Sequence, residues 1–404
     1  MKPIQDFEMK LLSIFSAIFL AFFIASKVYG QALDLNLGIP SVENYFEEIP
    51  YEFIKGKIIL SVEIGGKSRK FLLDTGAPTA ISRNLFDELS PSITTKIPVT
   101  DIGGKSDSLL FVTLDQIELG QTAYTDIPAI VLYENLLLDC FELDGFIGRI
   151  LLRNSIIMLD SKNKILRIGS DIDSFSEGLS NKAAIELDRQ SSPILTIQIG
   201  KNIKEALIID SGADEFYTMS ERNFKQFRKA KVFEVLAESF GSDTFGLFGQ
   251  EDENKSKRLL IPDLYVNGVT IHKVWTDTKN EDNSRIGSGL LRYGLFTLDY
   301  KNKNSYFELF EKDQNFEDSF WDVNPTFKDN KLVIGYIWSK ELEKKIDLGD
   351  QIIKIDEMET ENIDVCDILL NSPMETSQKV TLTVRTKNGE IILVEILNSV
   401  NKSL

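Results

Sequence analysis

LLDTGA (72–77) and IIDSGA (208–213) are the two stretches on which the fold of this 404-residue chain turns. Each is an apolar strand that runs straight into Asp-[Thr/Ser]-Gly. One such tripeptide carries little weight, because Asp and Gly are ordinary turn residues. Two at matching places carry much more. I-G-G-K-S-R-K-F leads into the first from residue 64, and I-G-K-N-I-K-E-A-L into the second from residue 199. Downstream, DQIELG (115–120) matches DLYVNG (263–268), and GFIGRILLRNSIIMLDSKNK (145–164) matches SRIGSGLLRYGLFTLDYKNK (284–303). The offset is 136 residues between Asp74 and Asp210, and 139 at both Gly148/Gly287 and Asp160/Asp299. Landmarks kept in order at a nearly constant offset mark a duplication. Residues of about 50–170 and 190–310 read as two copies of one lobe.

The local patterning inside each copy is that of a mainly β protein. IILSVEI (58–64), FLL (71–73), ILTIQI (194–199) and ALII (206–209) are apolar or alternate with period two, and Gly65-Gly66 and Gly200-Lys201-Asn202 supply the turns. Helical patterns interrupt at 83–89 and 219–229. The expected organisation is an N-terminal lobe over 45–175, a second lobe over 190–312 and a small module over 325–400.

Asp74 and Asp210 are the candidate catalytic pair. A carboxylate at the tip of an apolar strand is partly desolvated, and a pseudo-two-fold would bring the two copies face to face. Two carboxylates that close cannot both ionise, so they hold one proton between them and titrate as a unit. One then acts as general base on a water while the other protonates a carbonyl oxygen. Gly76 and Gly212 allow the turn and a close backbone approach, and the Thr75 and Ser211 hydroxyls are placed to bond across the pair. The chemistry needs no metal and no cofactor.

Composition removes other classes. A net charge of -17 disfavours nucleic acid, whose binding rests on Lys and Arg releasing counterions. The single histidine, His272, excludes multi-histidine zinc sites and reads as structural within an apolar-periodic stretch. The two cysteines, Cys140 and Cys366, cannot make a disulfide framework and are expected as buried free thiols in separate domains.

At the two Asp loops the sequence resembles the aspartic proteases of the pepsin and retropepsin type, over roughly 260 residues. The resemblance implies a bilobal fold of two β-barrel-like lobes and an endopeptidase that cuts extended polypeptide between them. FIG (146–148) and RIG (285–287) stand where that family buttresses each loop with an apolar-apolar-Gly segment, which makes Gly148 and Gly287 loop supports. The family also closes a hairpin flap over substrate. Asp101-Ile102-Gly103-Gly104-Lys105, with Gly103 and Gly104 at its tip, and the glycine-spaced Phe240 to Gln250 are the flap candidates. Three departures stand out. Arg285 replaces an apolar residue, neither flap candidate carries a tyrosine, and Ala77 and Ala213 follow the glycines where pepsins have a hydroxyl. The last implies an activity optimum less acidic than pepsin's. A protease-like body without turnover, working as a binding scaffold, is the alternative, and Arg285, Asp214 and Glu215 are its support. Both lobes lie in one chain, so a monomer suffices.

The two ends add context. Leu11 to Ser26 is an uncharged apolar run between Lys10 and Lys27, followed by small residues near Gly30 and Ala32. That is the layout of a signal peptide over residues 1–30, with Asp6 and Glu8 suggesting that translation starts at Met9. It implies export to the periplasm or outside the cell, an uncleaved anchor being the alternative. The C-terminal module resembles a PDZ domain at Leu348-Gly349-Asp350 and Ile352 to Asp356. Such domains take a peptide C-terminus by strand addition. The stretch 324–330 lacks the glycine-rich carboxylate loop, so peptide capture and simple packing on the lobes both stand.

Overall fold

The computed structural model describes residues 37–133, 135–311 and 319–400, and the signal-like run lies outside them. The described chain is mainly β. Lys57–Ile64 turns back as Lys67–Asp74 through Gly65 and Gly66, both with positive φ, which glycine adopts without steric cost. Along Lys57–Ile64 the side chains after Leu60 alternate between outward (Ser61, Glu63) and buried (Val62, Ile64). Phe71, Leu72 and Leu73 are all fully buried because the strand they share is covered on both faces. Burial of each such side chain stabilises by about 1.5–3 kcal/mol, so the strand that carries Asp74 is firmly held at its apolar end.

The second copy repeats these devices. Pro193–Ile199 pairs antiparallel with Ile203–Asp210. Each Asp-bearing strand then takes a parallel partner in identical register. Asp74 faces Gly148 in Gly145–Gly148, and Asp210 faces Gly287 in Arg285–Gly287. The two short helices follow at Arg83–Leu89 and Glu221–Phe227, each capped by a serine hydroxyl, Ser82 and Ser220, that accepts from the backbone three residues on. The K-N-K turns match as well. Asp160 accepts from the backbone and side chain of Asn163, and Asp299 does the same with Asn302.

The lobes join through a shared sheet. Ile156–Asp160 of the first pairs antiparallel with Gly294–Asp299 of the second, and Ile165–Gly169, Phe46–Ile54, Asn304–Leu309 and Lys182–Leu187 extend it on either side. This sheet fixes how the two Asp loops face each other. One hydrophobic core runs through both lobes, from Tyr45 to Phe307.

Residues 319–400 form a separate sheet with its own core around Val323, Ile334, Ile352, Leu382 and Ile396. Its elements include the strands Lys331–Ile337 and Gln351–Ile355, the helix Val365–Asn371, and the hairpin Lys379–Arg385 with Ile391–Val400. The cysteine expectation is corrected. Cys140 and Cys366 are joined in a disulfide, with Cα atoms 4.8 Å apart at a sequence separation of 226. The helix Leu136–Cys140 of the first lobe packs on the helix Val365–Asn371, which brings the thiols together. His272 also differs from expectation. It sits exposed on the hairpin Asn254–Val266/Val269–Lys279 and bonds Asp263 at 2.7 Å.

Candidate active site

Both Asp loops are built by the same local logic. The apolar strand ends at the aspartate, and the next glycine turns the chain so that backbone N–H groups point back at the carboxylate. Asp74 Oδ1 accepts from Gly76 N and Ala77 N, each at 2.9 Å, and Asp210 Oδ1 accepts from Gly212 N at 3.1 Å.

The loops then lock together. Thr75 Oγ1 donates to Ile209 O at 2.8 Å and accepts from Ser211 N at 2.9 Å. Ser211 Oγ donates to Leu73 O at 2.8 Å and accepts from Thr75 N at 3.0 Å. Thr75 and Ser211 are both buried, so each hydroxyl satisfies one donor and one acceptor that would otherwise lie unpaired. Each glycine also faces the opposite acid. A Cβ at Gly76 would lie 2.5 Å from Asp210 Cγ, and a Cβ at Gly212 would lie 2.5 Å from Asp74 Cγ. Only glycine leaves room for the two carboxylates to converge. Gly148 and Gly287 are equally confined, with backbone atoms of the neighbouring loop 2.3 and 2.4 Å from their would-be Cβ positions.

The electrostatics are asymmetric. Burial, and then the nearby Asp210 charge, push Asp74 up to about 7, against the pull of Arg149. Arg149 is itself buried and binds the Gly76 carbonyl as well as the Gln190 backbone and side chain. On the other side Arg285 Nη1 reaches Asp210 Oδ2 at 2.6 Å, and the same guanidinium pairs with Glu281. Burial opposes the Arg285 charge, but Asp210 and Glu281 outweigh it and hold the guanidinium above its ordinary value. The substitution visible in the sequence is therefore a direct partner of one aspartate. Lys57 Nζ adds a bond of 2.7 Å to the Gly212 carbonyl and lies 3.6 Å from Asp214.

An aspartyl protease family model matches residues 60–149. Those residues hold the first Asp loop and its Gly148 support. Among solved structures, the aspartic proteinase from Irpex lacteus is similar at 13% identity and a TM-score of 0.44, covering 66% of this chain and 98% of that one. A retropepsin-like aspartic protease from Rickettsia conorii is similar at 16% identity and a TM-score of 0.23, over 33% of this chain and 94% of that one. No curated protein matches.

Both flap candidates are hairpin tips, and they touch. Ser92–Thr100 and Ser106–Leu119 form the first hairpin, closed by a turn in which Asp101 N bonds Lys105 O and Gly104 takes a positive φ. Glu234–Gly241 and Asn254–Val266 form the second, with the small ribbon Phe245–Gly246/Gly249–Gln250 at its end. Phe248 N donates to Asp101 Oδ2 at 2.9 Å, and Lys105 Nζ to the Gln250 carbonyl. Gly103 lies against Glu251.

The second hairpin is in turn braced by the C-terminal module. Asn324 Nδ2 donates to Asp243 Oδ2 at 2.6 Å, Gln250 Nε2 donates to Thr326 Oγ1 at 3.0 Å, and the Phe245 and Phe327 rings meet edge to face. Arg258 bonds the Trp321 carbonyl and lies over the Phe320 and Trp338 rings. These partnerships, the flap contact and the roles of Arg149 and Lys57 left no separate mark in the sequence.

Proposed function

We propose that the chain is an aspartic endopeptidase, and that Asp74 and Asp210 activate water between them to hydrolyse peptide bonds of extended polypeptide. The observation that carries this reading is the reciprocal fit of the loops. Each glycine gives way to the opposite carboxylate, and the Thr75 and Ser211 hydroxyls tie the two loops into one unit. A pair of ordinary turns would need neither.

In the working state the pair carries one proton. Arg285 Nη1 contacts Asp210 Oδ2, and Asp210 serves as general base on the attacking water. Asp74, buried and set beside a negative neighbour, keeps the proton to near-neutral pH and donates it to the substrate carbonyl oxygen. The scissile bond then breaks as the amine leaves with a proton returned through Asp210. The two hairpin tips act as flaps, and Gly103 and Gly104 give the first its turn.

The C-terminal module is PDZ-like in this reading. Its edge strand Val323–Lys328 is where an added peptide strand would pair, yet Asn324, Thr326 and Phe327 on it already engage the second hairpin. Bracing that hairpin is its proposed role, and a captured peptide C-terminus would have to displace those contacts. Export is proposed from the signal-like run, and a disulfide suits an oxidising compartment.

The test is cleavage of a quenched peptide library by residues 33–404 from pH 3 to 8, beside Asp74→Asn and Asp210→Asn. Cutting by the wild type with both variants silent supports the pair. If all three are equally inert, the chain is a scaffold built on a protease-like body.

A further inference from the structure

Residues 319–400 hold on to the two lobes in different ways. Toward the second lobe the joint is broad. The Arg258 guanidinium forks onto Asp277 through Nε and Nη2, each at 2.9 Å, and gives Nη1 to the Trp321 carbonyl. It lies over the Phe320 and Trp338 rings, 4.7 and 4.2 Å from their centroids, and Trp275 stacks on Phe320. Gly241 of the second hairpin and Gly335 of the module meet backbone to backbone. A Cβ on Gly241 would lie 1.8 Å from the Gly335 carbonyl oxygen, to which Ser242 N donates at 3.2 Å. Stacked rings over a buried, paired cation and a close strand contact hold the module and the second lobe as one body.

Toward the first lobe the joint is narrower. Helix Leu136–Cys140 packs on helix Val365–Asn371, Lys55 pairs with the exposed Glu375 at 3.2 Å, and Cys140 is bonded to Cys366. An ion pair open to solvent contributes little, so the covalent bond is the firm part of this side. The contacts close a ring. The first-lobe tip at 101–105 bonds the second hairpin at Phe248 N and the Gln250 carbonyl. The second hairpin rests on Asn324 and Thr326 of the module, and the module returns to the first lobe through Cys366. The shared sheet joins the lobes independently of this ring.

We propose that the Cys140–Cys366 bond is a redox-controlled latch, opened by a dithiol, that frees the two hairpin tips to part. The inference rests on the endopeptidase reading for what the tips cover. Cys140 is 6% exposed and Cys366 half-buried, so the attacking thiolate meets the Cys366 sulfur. The S–S bond breaks and Cys140 leaves as a thiolate. The second thiol of the reagent then displaces Cys366 from the mixed disulfide. Two electrons pass to the cysteines, each takes up a proton, and the reagent ends as its own disulfide. The chain has no other cysteine, so the reagent has one target. After that the module moves with the second lobe, and the Asp101 and Lys105 bonds are left to keep the tips together.

The test is amide hydrogen exchange of residues 33–404 with and without dithiothreitol, the free thiols being counted to show that the bond has opened. On reduction the segment 245–250, where Phe248 N is held by Asp101, should exchange about tenfold faster or more. Ile157 and Leu298 of the shared sheet should change less. Cys140→Ser/Cys366→Ser should show the fast tip with or without dithiothreitol. In Asn324→Ala/Thr326→Ala the ring is broken at its other joint, so the tip should already be fast and reduction should add little, the non-additivity of two breaks in one ring. Unchanged exchange at 245–250 on reduction, or an acceleration that the shared sheet matches, would overturn the latch, as would a bond that dithiothreitol leaves intact in the folded protein. A fast tip in a chain that cleaves no peptide would sustain the latch and sink the endopeptidase reading. A cutting enzyme whose tip ignores reduction would do the reverse.

Discussion

Replacing Arg285 is the most informative single perturbation, because its guanidinium is in direct contact with one of the two facing aspartates. The contact to Asp210 Oδ2 is 2.6 Å long, between side chains 16% and 8% exposed. A hydrogen bond to a charged group in such a setting contributes about 1.5–3 kcal/mol. At about 1.4 kcal/mol per pH unit, that is one to two units of proton affinity for the pair. Arg285→Met removes a cation that favours the singly ionised dyad, so a higher pH is needed to reach that form. The acidic limb of kcat/KM against pH should therefore move up by about one to two units. The alkaline limb, set by the second ionisation near 7, should move little. Arg285→Lys keeps the charge but loses the fork, and should shift less. The variant also strands Glu281, so the profile is taken again in Glu281→Gln/Arg285→Met, which removes both partners. The assay is cleavage of one quenched peptide from pH 3 to 8. If the acidic limb of a cooperatively folded double variant superimposes on the wild type, Arg285 does not set the charge of the pair.

Other expectations follow from the same contacts. The wild-type optimum should lie above about pH 3.5, because Asp74 keeps its proton to about 7, and a peak below that value counts against the pair as described. Asp74→Asn should melt above the wild type at pH 8. The folded state holds the Asp74 proton more tightly than the unfolded chain, so its stabilising effect is full at low pH and is lost as pH rises through about 7; the difference should vanish near pH 4, and a constant gap would refute it. Thr75→Ala strands the Ser211 N–H and the Ile209 carbonyl, and should cost about 2–4 kcal/mol in denaturant unfolding, largely restored by Thr75→Ser. Cys140→Ser/Cys366→Ser opens a loop that spans a sequence separation of 226 and should lower stability by about 5 kcal/mol on chain entropy alone, an effect that reductant on the wild type should reproduce.

What the sequence made legible was whatever the duplication printed twice. The Asp loops, their Gly148 and Gly287 supports, the paired helices and the K-N-K turns were each visible in two copies at a common offset. Arg285 was visible as a departure, but its reach to Asp210 depends on a side-chain direction that no spacing encodes. The disulfide was missed because 226 residues separate its halves and each cysteine stands alone in its own segment. The meeting of the two hairpin tips and the brace from Asn324 and Thr326 join segments with no common pattern.

The cross-lobe fit also bears on how the two copies could drift apart after they were joined. Gly76 belongs to one copy by descent, yet the space it leaves is occupied by the aspartate of the other, and the same holds for Gly212. A change in either loop would be tested at once against its twin, and the loops remain D-T-G-A and D-S-G-A. Groups whose contacts stay within one copy had no such witness: Phe146, which pairs with Ala80, corresponds to Arg285, which pairs with Thr218, and Leu132, which pairs with Ser82, corresponds to Lys279, which pairs with Ser220. The line between what diverged and what did not follows which contacts cross the joint.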